Sequence, residues 1–349
     1  MKLLIITQKV NKIDPILGFF HGWIIEFAKH FESITVICLE KGEYNLPANV
    51  KVLSLGKESG ISRPKYLFNF YKYIWQERGN YDAVFVHMNP IYVLLGGFIW
   101  KLISKKIYLW YTHKNVDLKL KIAVLFSLKV FSASKESFRY KNNKLFVTGH
   151  GIDTDLFKPN PVLLSNDILR IITVGRISPV KKRDMVIRAV SKIIENNKDI
   201  TLNLTLVGGP IYGNDHRYEN MLHSMVCDNK IEQFVKFTGP ISPAKVVSYL
   251  QNSNIFVHES QTGSLDKVAL ESLSCGLIVL SSNDALRPIL EPYKLTFRSD
   301  DMSSLIDCIL VARSLINNRS IINELREYVV REHSLNRLIN LLSCQISQK

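Results

Sequence analysis

The residues best equipped for chemistry fall in two short stretches. Residues 255–281 read IFVHESQTGSLDKVALESLSCGLIVLS: an apolar strand ending at Val257, a polar loop containing Gly263, a helix beginning between Ser264 and Asp266, and Gly276 before a second apolar strand. Such a strand–loop–helix unit turns free backbone N–H groups and the positive end of the helix toward the loop, which suits an anion. Glu271, five residues beyond Asp266, stands where a ribose diol needs a hydrogen-bond acceptor. The same stretch also reads as an ordinary strand–helix unit capped by Asp266, so its neighbours must decide.

The second stretch is basic. A strand over Arg170–Val174 runs into Gly175, Arg176, Lys181, Lys182 and Arg183, placing four cations within eight residues at the carboxyl end of a strand. Gly175 permits a tight turn, Arg176 offers a planar fork of donors and Lys181 a point charge, a set suited to a diphosphate; a solvated basic loop is the plainer alternative. A further strand, Asn203–Val207, ends in Gly208-Gly209-Pro210, where a ligand could approach the backbone. Near the start of the chain, Gly18 opens a helix after the first strand, a place for amides facing a phosphate. Three histidines, His87, His113 and His150, follow strands in the first half and suggest a polar wall.

The elements that must position these residues alternate along the whole chain. Strands are expected at Leu3–Thr7, Ile34–Leu39, Val52–Leu55, Ala83–His87, Ile107–Tyr111, Val130–Ala133 and Leu145–Val147, with helices at Gly18–His30, Lys65–Gln76, Ile91–Ile103 and Val116–Phe126. After a proline-bearing polar linker from Lys158 to Asp167, the alternation restarts at Arg170, with helices from Arg183, Tyr218 and Pro243 and a strand at Val235–Phe237. Three closing helices are expected near Ser303–Ile316, Ile321–Glu332 and Ser334–Ile346. Short apolar strands separated by helices imply α/β domains with parallel sheets covered on both faces, whose ligands sit at the carboxyl ends of strands.

Composition bounds the partners. The 349 residues suffice for two cores and carry a formal charge of +14. Residues 1–165 hold 23 Lys/Arg against 12 Asp/Glu, so the excess sits in the first half, which therefore meets an anion: nucleic acid, a membrane face or an anionic substrate. Tyr92, Phe98, Trp100, Lys101, Lys105, Lys106, Tyr108 and Trp110 mix aromatics with lysines as a membrane-interface patch does, although strand and helix aromatics are usually core. Cys38, Cys227, Cys275, Cys308 and Cys344 lack metal-ligand spacing, implying a reducing compartment and no metal. The opening MKLLIIT is too short an apolar run for a signal peptide, and no run approaches a membrane span, so the expected location is cytoplasmic, with peripheral attachment to the membrane. Nucleic acid is disfavoured because no binding module is recognisable.

Taken together and at their spacings, YTHK, GHGIDTDLFKP, VGRISPVKKR, LVGGP, FTGPIS and HESQTGSLDKVALESLSCG resemble the family 4 retaining glycosyltransferases of the "group 1" superfamily. The resemblance implies the GT-B fold, two Rossmann-like doubly wound domains facing across a cleft. Residues 1–160 would bind acceptor, residues 161–333 the nucleotide-sugar donor, and residues 334–349 would form a helix crossing back. It also implies that Arg176 and Lys181 hold the donor diphosphate, Glu271 the ribose, and His113 the transferred sugar, with Gly18, Gly175 and Gly209 at the ligand. The chain departs from the family where the first Glu of the usual pair is replaced by Gly263. Donor contacts would then come from Gly263, Ser264, Leu265, Asp266 and Lys267. Lys182 also stands where a glycine is common.

The implied reaction moves a sugar from a nucleoside diphosphate to a glycan or lipid-linked acceptor in cell-surface glycan synthesis, with retention at the anomeric carbon. No cofactor is expected, and the two cations replace a metal in stabilising the leaving diphosphate. The alternatives are a nucleotide-sugar epimerase on the same scaffold and a non-catalytic partner subunit.

Overall fold

The computed structural model describes residues 1–160, 168–197, 199–259 and 265–348. The chain divides into two compact units, one formed by Met1–Asp153 with Glu332–Lys349 and the other by Thr154–Arg331.

The first unit contains β1 (Lys2–Val10), α1 (Phe19–Ala28), β2 (Ser33–Lys41), β3 (Val50–Ser54), α2 (Arg63–Gln76), β4 (Ala83–His87), α3 (Pro90–Leu102), β5 (Lys106–Trp110), α4 (Leu118–Phe126), β6 (Lys129–Ser132) and β7 (Leu145–Val147). Its seven strands are parallel in the order β3-β2-β1-β4-β5-β6-β7, reversing direction of assembly between β1 and β4. Successive strand residues serve opposite faces, as the pleat requires. Leu3, Ile5, Phe85, Tyr108 and Trp110 enter one core, and Leu4, Ile6, Val84, Val86 and Leu109 the other. The first core is completed from the far end of the chain. Leu335, Leu338, Ile339, Leu342 and Ile346 recur at helical spacing on α12 (Leu335–Ser347) and pack among Phe20, Trp23, Ile24 and Phe27 of α1. Helices α2, α3 and α4 cover the second core: Phe70 meets Tyr92 and Trp100, and a side chain at Gly97 would strike Phe126.

The aromatic patch expected at a membrane is for the most part core. Tyr92, Trp100, Tyr108 and Trp110 are at most 5% exposed, whereas Phe98 is 69% exposed. A buried aromatic removes about 150–250 Å² from water, worth roughly 4–6 kcal/mol, and neither face of this sheet could close without those rings. Lys105 and Lys106 are also tied down, the first to the carbonyl of Tyr81 and the second to that of Gln348.

The second unit contains β8 (Leu169–Val174), α5 (Arg183–Asn196), β9 (Leu202–Val207), α6 (Gly213–Asp228), β10 (Val235–Phe237), α7 (Pro243–Gln251), β11 (Ile255–His258), α8 (Lys267–Ser274), β12 (Ile278–Ser281), α9 (Arg287–Leu290), α10 (Met302–Leu315) and most of α11 (Arg319–His333). Its five strands are parallel in the order β10-β9-β8-β11-β12. Helix α6 starts five residues before the expected Tyr218. The Asp215 carboxylate accepts the N–H groups of Ile211 and Tyr212 and so fixes the earlier start, a cap that hydrophobic periodicity alone does not register. In both sheets the order reverses beside the first strand, and such switch points open at the carboxyl ends of the strands. In the second unit these ends belong to β8 and β11, the strands that carry the two chemical stretches.

Candidate active site

Parallel pairing of β11 with β12 sets His258 opposite Ser281. His258 Nδ1 lies 2.9 Å from Ser281 Oγ, and its Nε2 lies 2.9 Å from Oδ2 of Asp266, the residue that precedes α8. The same Asp266 oxygen takes the ammonium of Lys181 at 2.9 Å, across from the loop after β8. A carboxylate only accepts, so Nε2 carries the proton it shares, while Ser281 Oγ accepts the Asn283 N–H at 3.1 Å. Burial by itself would raise the Asp266 carboxyl, but the hydrogen bond and charge of His258 and the Lys181 ammonium outweigh it and hold the group well below the carboxylate range. Asp266 therefore makes no cap hydrogen bond to α8. Its side chain is spent on tying the two chemical stretches together.

Arg176 is also countered. Its Nε lies 3.7 Å from the carboxylate of buried Asp215 and its guanidinium 5.4 Å from the centre of the Tyr212 ring. Lys182 adopts φ 43°, the left-handed region that favours glycine, which accounts for the glycine common at this place in the family it resembles. The ammonium offsets that strain by reaching Asp300, Ser299 at 3.3 Å and Glu259 at 3.9 Å. Glu259 is 1% exposed; its Oε1 accepts from Ser299 at 2.7 Å and its Oε2 has no partner among the described residues. Glu271 on α8 is paired with Lys267 at 3.2 Å, yet burial dominates and pushes its carboxyl above the usual range.

The glycines behave differently from one another. Gly175 turns at φ 132° and, among the described residues, only Arg183 Nη2 lies near the place of a side chain. At Gly208 (φ 120°) a side chain would strike the Gly175 carbonyl at 2.2 Å, and at Gly209 it would strike Pro240 at 2.7 Å. The space expected for a ligand at Gly209 is thus filled by Pro240, and the closeness serves loop packing. Gly18 ends a tight loop, where a side chain would meet the Asp14 carbonyl at 2.5 Å. Leu265 is buried, and Gly263 and Ser264 lie outside the described residues.

In the first unit His113 is exposed in the loop after β5, its Nδ1 accepting the Asn115 N–H at 3.1 Å. His87 is no part of a polar wall. It is 1% exposed, its ring stacked on Phe20 at 3.9 Å, and burial drives its pKa down to about 3, so it stays neutral among aromatics. The structure brings Arg176, Lys181 and Asp266 onto the loops of one sheet, with Lys267 and Glu271 on the helix that follows. The partners that sequence reasoning missed are His258, Ser281, Asp215, Tyr212 and Glu259. His258 and Ser281 stand 23 residues apart and only strand register pairs them. Among the described residues no cluster of side chains suits a metal ion.

Residues 156–292 match the family model of the group 1 glycosyl transferases. This stretch is a group 1 glycosyl transferase domain. Relatives of the domain include the D-inositol 3-phosphate glycosyltransferase of Stackebrandtia nassauensis, 29% identical over 154 residues that make up 42% of this chain and 34% of that protein. A phosphatidylinositol N-acetylglucosaminyltransferase component of Arabidopsis thaliana is 23% identical over 62% of this chain and 48% of its own length. The chain thus spans a third to a half of the curated relatives it matches. The fold is shared along its whole length with the Anabaena protein HepE, crystallised with UDP, at a TM-score of 0.77 and 16% identity over 99% of this chain and 100% of that one. A Rickettsia africae glycosyltransferase gives 0.73 and 15% over 100% and 99%. The GT-B fold expected from the sequence, two Rossmann-like α/β domains, is the one observed.

Proposed function

We propose that the chain is a family 4 glycosyltransferase that moves a sugar, with retention, from a nucleoside diphosphate to a glycan or lipid-linked acceptor on the cytoplasmic side of the membrane. The observation that carries this reading is the ion pair of Lys181 with Asp266 joining the loops after β8 and β11, with Arg176 on the first of these loops and Glu271 on the helix that follows the second. In a Rossmann-like sheet those loops receive a dinucleotide or nucleotide phosphate. The diphosphate takes the guanidinium of Arg176 and the ammonium of Lys181, which Asp266 releases, and Glu271 accepts from the ribose hydroxyls. As the sugar–phosphate C–O bond breaks, both cations stabilise the charge gathering on the phosphate. The acceptor oxygen bonds to the anomeric carbon on the same face and its proton passes to the departing phosphate oxygen. His113 is the residue that the family resemblance assigns to the transferred sugar. UDP bound to HepE makes the uridine nucleotides the first donors to try.

The test is thermal stabilisation by UDP, GDP, ADP and their sugars, since a ligand that binds the folded state raises its melting temperature. Transfer assays on wild type and Arg176→Ala follow, and the variant should lose at least a hundredfold of the rate, by analogy with the roughly 10²–10³ lost when one charge-stabilising donor is removed. Near-normal turnover would contradict the assignment.

The first unit supports a lipid-linked acceptor through a face other than the one its sequence suggested. Residues 63–144 hold 15 Lys/Arg and 4 Asp/Glu, the whole positive excess of the first half. On α2, Lys65, Phe68, Lys72 and Trp75 follow one another at helical spacing and are all exposed. Leu118, Lys121, Leu125 and Leu128 do the same along α4 and its end, and Phe98, Lys101 and Leu102 on α3 between them. Apolar side chains interleaved with lysines on neighbouring helices fit the headgroup region of an anionic bilayer. Among the described residues no helix is long and apolar enough to cross a membrane.

A further inference from the structure

Arg183 is the first residue of the 14-residue helix α5 and is 3% exposed. Its Nη2 is enclosed, and among the described residues it has no hydrogen-bond partner and the side chain makes no ion pair. The three cations before it are each countered: Arg176 by Asp215 at 3.7 Å, Lys181 by Asp266 at 2.9 Å and Lys182 by Glu259 at 3.9 Å. A guanidinium taken out of water without a counter-ion is strongly unfavourable, and the positive end of a helix adds to the penalty. Burial lowers its pKa to about 10, with Tyr218 and Asp266 acting on it only from a distance, so it remains a cation at neutral pH.

The group is hidden from solvent but not from the loop above it. A side chain at Gly175 would meet Arg183 Nη2 at 3.4 Å and no other described residue beyond its chain neighbours within 4 Å. The guanidinium thus lies under the bare Cα of the turn that follows β8, the turn to which the diphosphate is assigned.

We propose that Arg183 is the buried cation of the diphosphate subsite, acting through the gap at Gly175 and left without a counter-ion until the donor's diphosphate arrives. The inference rests on the nucleotide-binding reading above and adds a residue and a consequence to it: the unliganded fold is less stable for carrying this charge. Removing the charge should therefore weaken nucleotide binding without weakening the protein.

Arg183→Met and Arg183→Gln keep a long unbranched stem, shorter than that of Arg, and delete its charge; Arg183→Lys keeps the charge and deletes the fork. Melting temperatures without ligand and calorimetric titration with UDP would be compared. The Met and Gln variants should melt at or above wild type and bind UDP at least tenfold more weakly, and the Lys variant should recover part of that affinity. Met and Gln variants that melt well below wild type, or fail to fold, would show that the fold already satisfies the charge and would overturn the inference. So would unchanged UDP affinity. Pyrophosphate provides a separate arm. Were wild type to ignore UDP, GDP and ADP yet gain stability from pyrophosphate that Arg183→Met does not, the anion role would stand and the nucleotide reading would fall. No response of wild type to any of the four ligands would sink both.

Discussion

The ammonium of Lys181 and Oδ2 of Asp266 stand 2.9 Å apart, so the cation assigned to a ligand's phosphate already holds a carboxylate. That carboxylate is fixed in turn by His258 at 2.9 Å, itself fixed by Ser281 on the neighbouring strand. Asp266 stands in for the anion, and an incoming diphosphate must compete with it. Replacing Asp266 by Asn should then tighten UDP binding by roughly tenfold, about 1.4 kcal/mol, while removing charged hydrogen bonds should cost the fold about 1–3 kcal/mol. Calorimetry and thermal melts would read the two effects. Weaker UDP binding in the variant would mean that Asp266 is a ligand contact and no competitor.

The same carboxylate gives an acid dependence of known sign. Its pKa is lowered in the folded chain, so as pH falls through about 4 the unfolded chain takes up a proton at Asp266 that the folded chain refuses. The stability it contributes is present above that pH and is lost as pH drops toward the folded pKa. Between about pH 4 and 3, wild type should lose stability faster than Asp266→Asn, by up to ~1.4 kcal/mol per pH unit. Parallel urea-denaturation curves for the two proteins across that range would refute the linkage.

Much of this arrangement was legible in the sequence and part was not, for identifiable reasons. The alternation of short apolar runs with amphipathic ones placed strands such as Ala83–His87 and Val235–Phe237 at their observed bounds. The cations after β8, with Asp266 before α8 and Glu271 on it, were visible because a glycine and a charge cluster at a strand end form a local signal. His258 was not, since a histidine at the end of an apolar run shows no partner until register brings Ser281 beside it. The aromatics of α3 and β5 misled because composition does not say which side of a helix or strand a ring faces. Trp100 is buried and Phe98 is not, two residues apart on one helix.

Glu271 carries the opposite sign to Asp266. Burial raises its carboxyl despite the ammonium of Lys267, so the folded state disfavours the ionised form that a ribose acceptor needs, and the group weakens the fold as pH rises through its folded pKa. Glu271→Gln should melt higher than wild type at pH 8 and show a smaller difference at pH 4. If Glu271 grips the ribose, the same variant should bind UDP at least tenfold more weakly while its affinity for pyrophosphate is unchanged. Equal losses for both ligands would place Glu271 outside the ribose subsite.

Of the four tryptophans, Trp75 alone is exposed, at 52%, while Trp23, Trp100 and Trp110 are at most 2% exposed. The Arg78 guanidinium lies 4.6 Å from the centre of its ring, leaving the rest of the indole to solvent on the basic face of α2. Changes in emission on adding a partner therefore report on this face. Vesicles containing anionic phospholipid should shift the emission to the blue, as the indole leaves water for the headgroup region, and vesicles of phosphatidylcholine alone should not. Steering by lysines is screened by salt, so flotation with anionic vesicles should fall steeply between about 0.1 and 1 M NaCl. Phe68→Ser and Leu125→Ser should reduce flotation with no change in charge, and Lys72→Glu with Lys101→Glu should abolish it. A single-stranded nucleic acid that produced the same shift would move the face from lipid to polyanion binding in general. Serine variants that float as well as wild type would show that its apolar side chains do not enter the bilayer.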